Sequence, residues 1–295
     1  MGLRPAFEGD GVASQLLSKA AEIEEPAAGV KPFLKWAGGK RWLVASDQFQ
    51  PPKFEGRYIE PFLGGAAVYF HLRPASALLS DMNGRLIEVY QVVRDTPDLL
   101  RRSLRDLQNN HSRSFYYEER ARKRTKPHTR AAQFLYLNRT CWNGLYRENQ
   151  QGQFNVPIGT KSTIYDANEN WKSISKLLSW AELTAGDFEQ TVDKAEKGDF
   201  IFADPPYTTA HNNNGFVKYN QDIFSWKDQE RLRDALVRAV GRGAKVMLTN
   251  ADHESVHELF DADFEYKSIS RSSIISGYRS GRGMTSEALY VSKNC

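Results

Sequence analysis

The chain has 295 residues, 40% of them hydrophobic and 12% aromatic, with a formal net charge of +4, enough apolar content to bury a full core in one large domain or a domain with an insert. No run approaches the roughly 18 apolar residues of a membrane span, and the first residues carry neither a secretory apolar region nor a myristoylation pattern, so a cytoplasmic setting with no membrane partner is expected. Cys141 and Cys295 lie far apart without His or Cys at metal-ligand spacing, which gives no support to a disulfide framework or a zinc site, and no metal is expected.

Residues 1–30 read as an extension in which Leu16, Leu17, Ala20, Ala21 and Ile23 recur at helical spacing until Pro26 stops the pattern. The segment Phe33-Leu34-Lys35-Trp36-Ala37-Gly38-Gly39-Lys40 then joins an aromatic, a glycine pair and two cations, but lacks the spacing and hydroxyl of a Walker loop. From Arg57 the pattern alternates: a strand over 57–60, a glycine turn, a helix over 65–73, a strand over 77–80 and a helix over 83–94. The turn Glu60-Pro61-Phe62-Leu63-Gly64-Gly65 lets a ligand approach the backbone near the positive end of a helix. Asp81 ends the second strand, where its carboxylate suits either a ribose diol or the cap of the following helix.

Residues 101–161 hold 13 Lys/Arg against four acids, a local excess of +9 that leaves −5 for the remainder. A basic block laced with Tyr, Trp, Asn and Gln on a mildly acidic core suits a duplex-binding module, although the run 120–124 alone reads equally well as a solvated helix face. Strand patterns resume at 182–185, 200–203, 244–249 and 287–292, and a helix starts at Ser225 and runs through Leu232, Leu236 and Val240. Asp187-Phe188 follows the first of these strands, placed to take an adenine amino group and pack on its ring, or to form an ordinary turn. The glycine- and arginine-rich segment 276–283 suits a phosphate-contacting arm or a hairpin turn. The economical architecture is α/β: an open, mostly parallel sheet with helices on both faces, interrupted by an insert of roughly 90 residues. The expected boundaries are a catalytic part at 31–95 and 182–295 and an insert at 96–181.

Asp204-Pro205-Pro206-Tyr207 follows the apolar run Phe200-Ile201-Phe202-Ala203. An exocyclic amino group of a base is a poor nucleophile because its lone pair is delocalised into the ring; two acceptors aimed at its N–H bonds localise that pair as charge develops. The Asp204 carboxylate and the Pro205 carbonyl are such acceptors, the prolines remove backbone donors, and Tyr207 offers a stacking face.

The segments KWAGGK (35–40), EPFLGG (60–65), SDMN (80–83), YLNRTCWNGLYRENQQGQFNVPIG (136–159) and DPPY (204–207) resemble, in order and spacing, the DNA adenine methylase (Dam) family over about residues 31–292. The resemblance implies a Rossmann-like sheet binding S-adenosylmethionine, which leaves as S-adenosylhomocysteine, and an inserted, mainly helical target-recognition domain with a β-hairpin. It implies that Trp36 sits beside the methyl donor, Lys40 faces the methionine carboxylate, Phe62 and Gly64 form the loop under methionine and ribose, Asp81 takes the ribose, Asp187 and Phe188 contact the adenine ring, and Asp204 lies between cofactor and target. Ala66 stands where the family usually has glycine. In the hairpin, Lys35 and Arg147 are similar to cations that contact guanines in GATC, Leu145 and Pro157 to apolar contacts with thymine, and Trp142 to a Tyr that wedges into the stack, with Asn143 beside it. Arg139, Asn149, Asn155 and Lys161 are expected on phosphates, which set register without specifying bases. The partner implied is double-stranded DNA, the setting bacterial or phage-encoded, and the chain a monomer in solution, as an orphan methylase or half of a restriction–modification pair. Two rivals are an amino-group methyltransferase acting on RNA or protein, which needs no long basic insert, and a non-catalytic DNA-binding relative, which needs no acceptor turn.

Overall fold

The computed structural model describes residues 30–149, 151–210, 224–272 and 284–295; the helix expected within 1–30 and the segment 276–283 lie outside them. The described strands are β1 (Tyr58–Glu60), β2 (Ala77–Asp81), β3 (Ala181–Ala185), β4 (Phe200–Ala203), β5 (Lys245–Ala251), β6 (Phe264–Ser272) and β7 (Met284–Ser292). The described α-helices are α1 (Arg41–Val44), α2 (Ala67–Leu72), α3 (Gly84–Asp95), α4 (Pro97–Asn109), α5 (Arg113–Ala121), α6 (Pro127–Thr140), α7 (Trp171–Leu178), α8 (Phe188–Val192), α9 (Trp226–Gly241) and α10 (Glu254–Phe260).

The strands form one sheet in the order β3-β2-β1-β4-β5-β7-β6. β3 through β5 pair in parallel, and β7 runs antiparallel to both β5 and β6. The order moves outward from β1 to β3 and then returns to place β4 on the other side of β1, so it reverses between β1 and β4. In an open α/β sheet, the crevice beyond the carboxyl ends of strands at such a reversal is where ligands bind.

Side chains alternate between two cores, as a period of two requires. Tyr58, Ala77, Leu79, Phe200, Phe202 and Met247 face one; Ile59, Leu78, Ile201, Ala203, Val246 and Leu248 face the other. With both faces covered, these strands read as unbroken apolar runs. α2, α3 and α7 cover the first face, and α8, α9 and α10 the second. Asn83 caps α3 by accepting from the Leu86 amide, and Ser225 with Asp228 forms a full capping box on α9, satisfying amide groups that a helix start otherwise leaves orphaned. β6, an edge strand, is mostly exposed outside Phe264 and Ile269, which is why no apolar run announced it. The stretch between α3 and β3 packs Leu100, Leu104, Leu107, Tyr116, Phe134 and Tyr136 into the same core as the first sheet face. No described helix is long and apolar enough to cross a membrane.

Candidate active site and recognition hairpin

Asp204 leaves the end of β4 at the reversal point, and its two oxygens are treated differently. Oδ1 is held by the Lys40 ammonium at 2.7 Å and by the Thr249 hydroxyl, which donates to it at 2.8 Å. Both of these contacts fall on Oδ1. Lys40 is buried, donates to the Gly38 carbonyl at 2.8 Å and lies 3.5 Å from Glu287 of β7. Tyr207 donates its phenol to the same Glu287 oxygen at 2.7 Å, and Lys40 lies 5.1 Å from its ring centroid. Burial pushes the Asp204 carboxyl above the ordinary carboxylate range; Lys40 and Thr249 pull it down and Glu287 pushes it up. The Lys40 ammonium, expected to face a methionine carboxylate, has three N–H groups and here contacts Asp204, Gly38 and Glu287.

The Pro-Pro turn is anchored through its second carbonyl. Gln229 of α9 donates to the Pro206 carbonyl at 3.3 Å and accepts from Asn250 of β5 at 2.9 Å, and both amides are fully buried. Thr249, Asn250, Gln229 and Glu287 were not anticipated. Their signal was a polar residue inside an apolar strand or helix face, which burial penalises unless it is paired.

On the β1 and β2 side, Gly64 is held from three directions. Its N–H donates to Asp81 Oδ2 at 2.9 Å, its carbonyl accepts from Tyr90 at 2.9 Å, and a Cβ placed on it would lie 2.7 Å from Trp36 Cδ1. Its φ of 45° adds a second reason for glycine. Ala66 takes the left-handed conformation at φ 54°, ψ 36° while buried, so the expected turn survives at a cost of roughly 1–2 kcal/mol relative to glycine. Asp81 also accepts from the Asn83 amide at 2.9 Å. The helix cap is Asn83, so Asp81 orders the glycine turn instead of capping α3.

Phe62 stacks on Phe188 at 5.3 Å, and Phe224 meets both. Asp187 caps α8 through the Glu189 amide and pairs with Arg231 at 2.9 Å, while the same guanidinium lies 5.0 Å from the Phe188 ring centroid. The pair thus sits at the end of β3 as the sequence suggested, with the Asp187 carboxylate already engaged through Oδ1.

The segment from Cys141 to Gly159 is an irregular hairpin, with bridges at Cys141–Ile158 and Glu148–Phe154. Asn143 and Gly144 are both left-handed, at φ 55° and 65°. A Cβ on Gly144 would lie 2.5 Å from Lys35 Cδ, so the Lys35 stem runs across this glycine. Buried Asn138 of α6 ties the two segments together: its Oδ1 accepts from the Lys35 amide at 3.1 Å, and its Nδ2 donates to the carbonyls of Lys35 at 2.7 Å and Gly144 at 3.3 Å. Trp36 stacks on Tyr146 at 5.5 Å, which stacks on Phe134 at 4.6 Å.

Trp142 is 54% exposed and Leu145 41%, large apolar side chains that a hairpin meant only for the core would bury. Lys35, Asn143, Arg147, Pro157 and Lys161 are exposed as well. Three of the polar residues expected on phosphates have partners within the protein. Arg139 forms a bidentate pair with Glu169 at 2.6 and 2.9 Å and donates to the carbonyls of Ile164 and Phe33, so it braces the protein interior. Asn149 accepts from the amides of Gln151 and Gln153 and so shapes the hairpin tip. Asn155 accepts from Arg147 Nε at 2.8 Å, orienting that guanidinium.

A strand-end carboxylate opening a Pro-Pro-Tyr turn, at the reversal point of a seven-stranded sheet with one antiparallel strand, defines an α/β methyltransferase acting on an amino group. The family model of the D12 class N6 adenine-specific DNA methyltransferases matches residues 36–274, and the chain belongs to that family. It is similar to the type II methyltransferase M1.LlaDCHI of Lactococcus lactis subsp. cremoris, with 34% identity over 90% of this chain and 97% of that protein. It is 33% identical to the DNA N-6-adenine-methyltransferase of Escherichia phage P1 over 96% of this chain, a match that spans 37% of the phage protein. The DNA adenine methylase of Escherichia coli strain K12 is 30% identical over 75% of this chain and 81% of its own length.

Proposed function

We propose that this enzyme transfers the methyl group of S-adenosylmethionine to N6 of an adenine flipped out of duplex DNA, within GATC. The observation that carries this is the Asp204 carboxylate, held through Oδ1 by Lys40 and Thr249, beside a Pro-Pro turn anchored through its second carbonyl. Oδ2 and the Pro205 carbonyl then accept the two N–H bonds of the target amine. The residues fit the cofactor: the glycine turn at Gly64 is shaped to accept a ligand backbone-first, Asp81 stands at the end of β2 where a ribose diol is bound, and Trp36, Phe62 and Phe188 supply apolar surface around it. S-adenosylmethionine supplies an electrophilic methyl group. The chain's own part is to orient the amine in line with it, exclude water, and hold a negative charge where positive charge grows on nitrogen.

The exposed Trp142 offers a wedge to fill the gap left by an unstacked base. Arg147, oriented by Asn155, suits the bidentate contact with guanine O6 and N7, worth about 1–3 kcal/mol of discrimination. Methyl transfer to a set of duplexes carrying GATC and each single-base variant, with RNA and protein controls, tests the whole reading. Transfer to RNA or protein but not to duplex would reject it. Arg147→Ala is expected to relax preference at one base pair by roughly 5- to 100-fold, read as the ratio of kcat/KM on matched and mismatched duplexes.

A second basic region suits contact with the phosphate backbone. Arg122, Lys123, Arg124, Thr125, Lys126 and Thr129 line a recess of about 480 Å³. Arg124 is spent on the buried Glu119, whereas Lys123 and Lys126 are exposed. Arg120, just upstream, donates to the Val156 carbonyl at 3.1 Å and so joins this loop to the hairpin. The double variant Lys123→Ala/Lys126→Ala is expected to make the log–log salt dependence of duplex affinity shallower by about 1–2 without altering base preference; an unchanged slope would place these lysines off the DNA.

A further inference from the structure

Glu287 is a buried carboxylate in an otherwise apolar stretch of β7. It sits in β7 opposite Ala251 of β5 and Ile269 of β6, followed by buried Ala288, Leu289 and Tyr290, and its side chain is 4% exposed. A carboxylate in such surroundings is costly unless its partners compensate for lost hydration. Two of those partners are parts of the acceptor site: the Tyr207 phenol at 2.7 Å and the Lys40 ammonium at 3.5 Å.

We propose that Glu287 is a positioning residue for methyl transfer, holding the Tyr207 phenol and the Lys40 ammonium so that Oδ2 of Asp204 stays open and electron-rich toward the target amine. This rests on the functional reading above. Two carboxylates and one ammonium occupy the cluster, so Lys40 does not neutralise Asp204 alone. Were Glu287 uncharged, the whole attraction of Lys40 would fall on Asp204, which would become a weaker acceptor as positive charge develops on nitrogen. The Tyr207 phenol would also exchange a charged acceptor for a neutral, weaker one, loosening the ring that closes the Pro-Pro turn. The charged and titratable groups facing Asp204 are Lys40 before α1, Tyr58 and Glu60 in β1, Tyr207 after β4 and Glu287 in β7. Of these, Glu287 is the negative group that shares Lys40 with Asp204. Because the Glu287 charge raises the Asp204 pKa, its removal shifts Asp204 ionisation to lower pH.

The test uses the full chain with Glu287→Gln, Tyr207→Phe and the double variant. Single-turnover transfer from labelled S-adenosylmethionine to a duplex is followed across pH, and tyrosine ring-carbon NMR, assigned through Tyr207→Phe, reads the contact without any activity. E287Q is expected to slow transfer about 10-fold at the pH plateau, to leave duplex affinity within about 2-fold, and to move the acidic limb to lower pH, with the Tyr207 resonance displaced. The double variant should lose less than the product of the single losses, since one change weakens and the other removes the same contact. A wild-type rate with an unmoved limb in E287Q, or multiplicative losses with an unmoved Tyr207 resonance, overturns the proposal. If E287Q folds poorly, Y207F alone decides it: a wild-type transfer rate there overturns the proposal. A wild-type chain that methylates no duplex, while the Tyr207 resonance still moves in E287Q, overturns the functional reading and the catalytic role together and leaves only the contact.

Discussion

Asp204→Asn is expected to lower single-turnover methyl transfer by roughly 10²- to 10³-fold, the loss typical of removing one preorganised group from the site of developing charge, while duplex affinity stays near wild type. Asparagine keeps the shape and one acceptor oxygen but removes the charge that favours a positive nitrogen. The milder substitution is the informative one. Asp204→Ala would strip Lys40 of its closest partner and leave it with Gly38 and the more distant Glu287, and an uncompensated buried charge costs on the order of 3–5 kcal/mol. Loss of activity in the alanine variant would therefore mix chemistry with misfolding. The pH profile adds a sign. Transfer requires the ionised carboxylate, and burial raises its pKa, so the wild-type rate should fall on the acidic side at a pH above the ordinary Asp range. That limb should vanish from the residual activity of D204N. Near wild-type transfer by D204N would remove Asp204 from the chemistry.

The parts of this site that were legible in the sequence are those that local pattern dictates. Phe200-Ile201-Phe202-Ala203 could only be a strand buried on both faces, and it delivers Asp204 to the carboxyl edge whatever the rest of the fold does. Ser225 announced α9, and Asp81 and Asp187 followed strands that the alternation had marked. What the pattern could not supply is pairing across distance. Glu287 meets Tyr207 and Lys40 only because β7 is inserted antiparallel between β5 and β6, and no local signal encodes that insertion. Arg139 is a second case: nothing in its basic block hints that the fold brings Glu169 to it. Composition counts charges but does not record which are already paired. Nor does local pattern show that Leu100, Leu104, Leu107, Tyr116, Phe134 and Tyr136, between α3 and β3, join the core on the first face of the sheet.

Asn138→Ala is expected to destabilise the protein by roughly 2–4 kcal/mol, because it leaves the Lys35 amide, the Lys35 carbonyl and the Gly144 carbonyl without their partner, and each unpaired buried group costs about 1–3 kcal/mol, less where water reaches the exposed side of Lys35. Stability is the smaller part of the argument. Lys35 belongs to the segment that also carries Trp36 and Lys40, and Gly144 belongs to the hairpin that carries Leu145 and Arg147, so one amide links the loop proposed to serve the cofactor to the hairpin proposed to read bases. Lys35 and Arg147 can read bases in a common frame only if their backbones hold a set distance. Severing the link should therefore cost discrimination more than turnover, with the ratio of kcat/KM between a matched duplex and its single-base variants falling by about 10-fold, equivalent to about 1.4 kcal/mol. Denaturant unfolding measures the first effect and competition between matched and mismatched duplexes the second. A variant that is less stable yet discriminates as well as wild type would reduce Asn138 to a core amide and show that the hairpin holds its register through the Trp36–Tyr146–Phe134 stack instead.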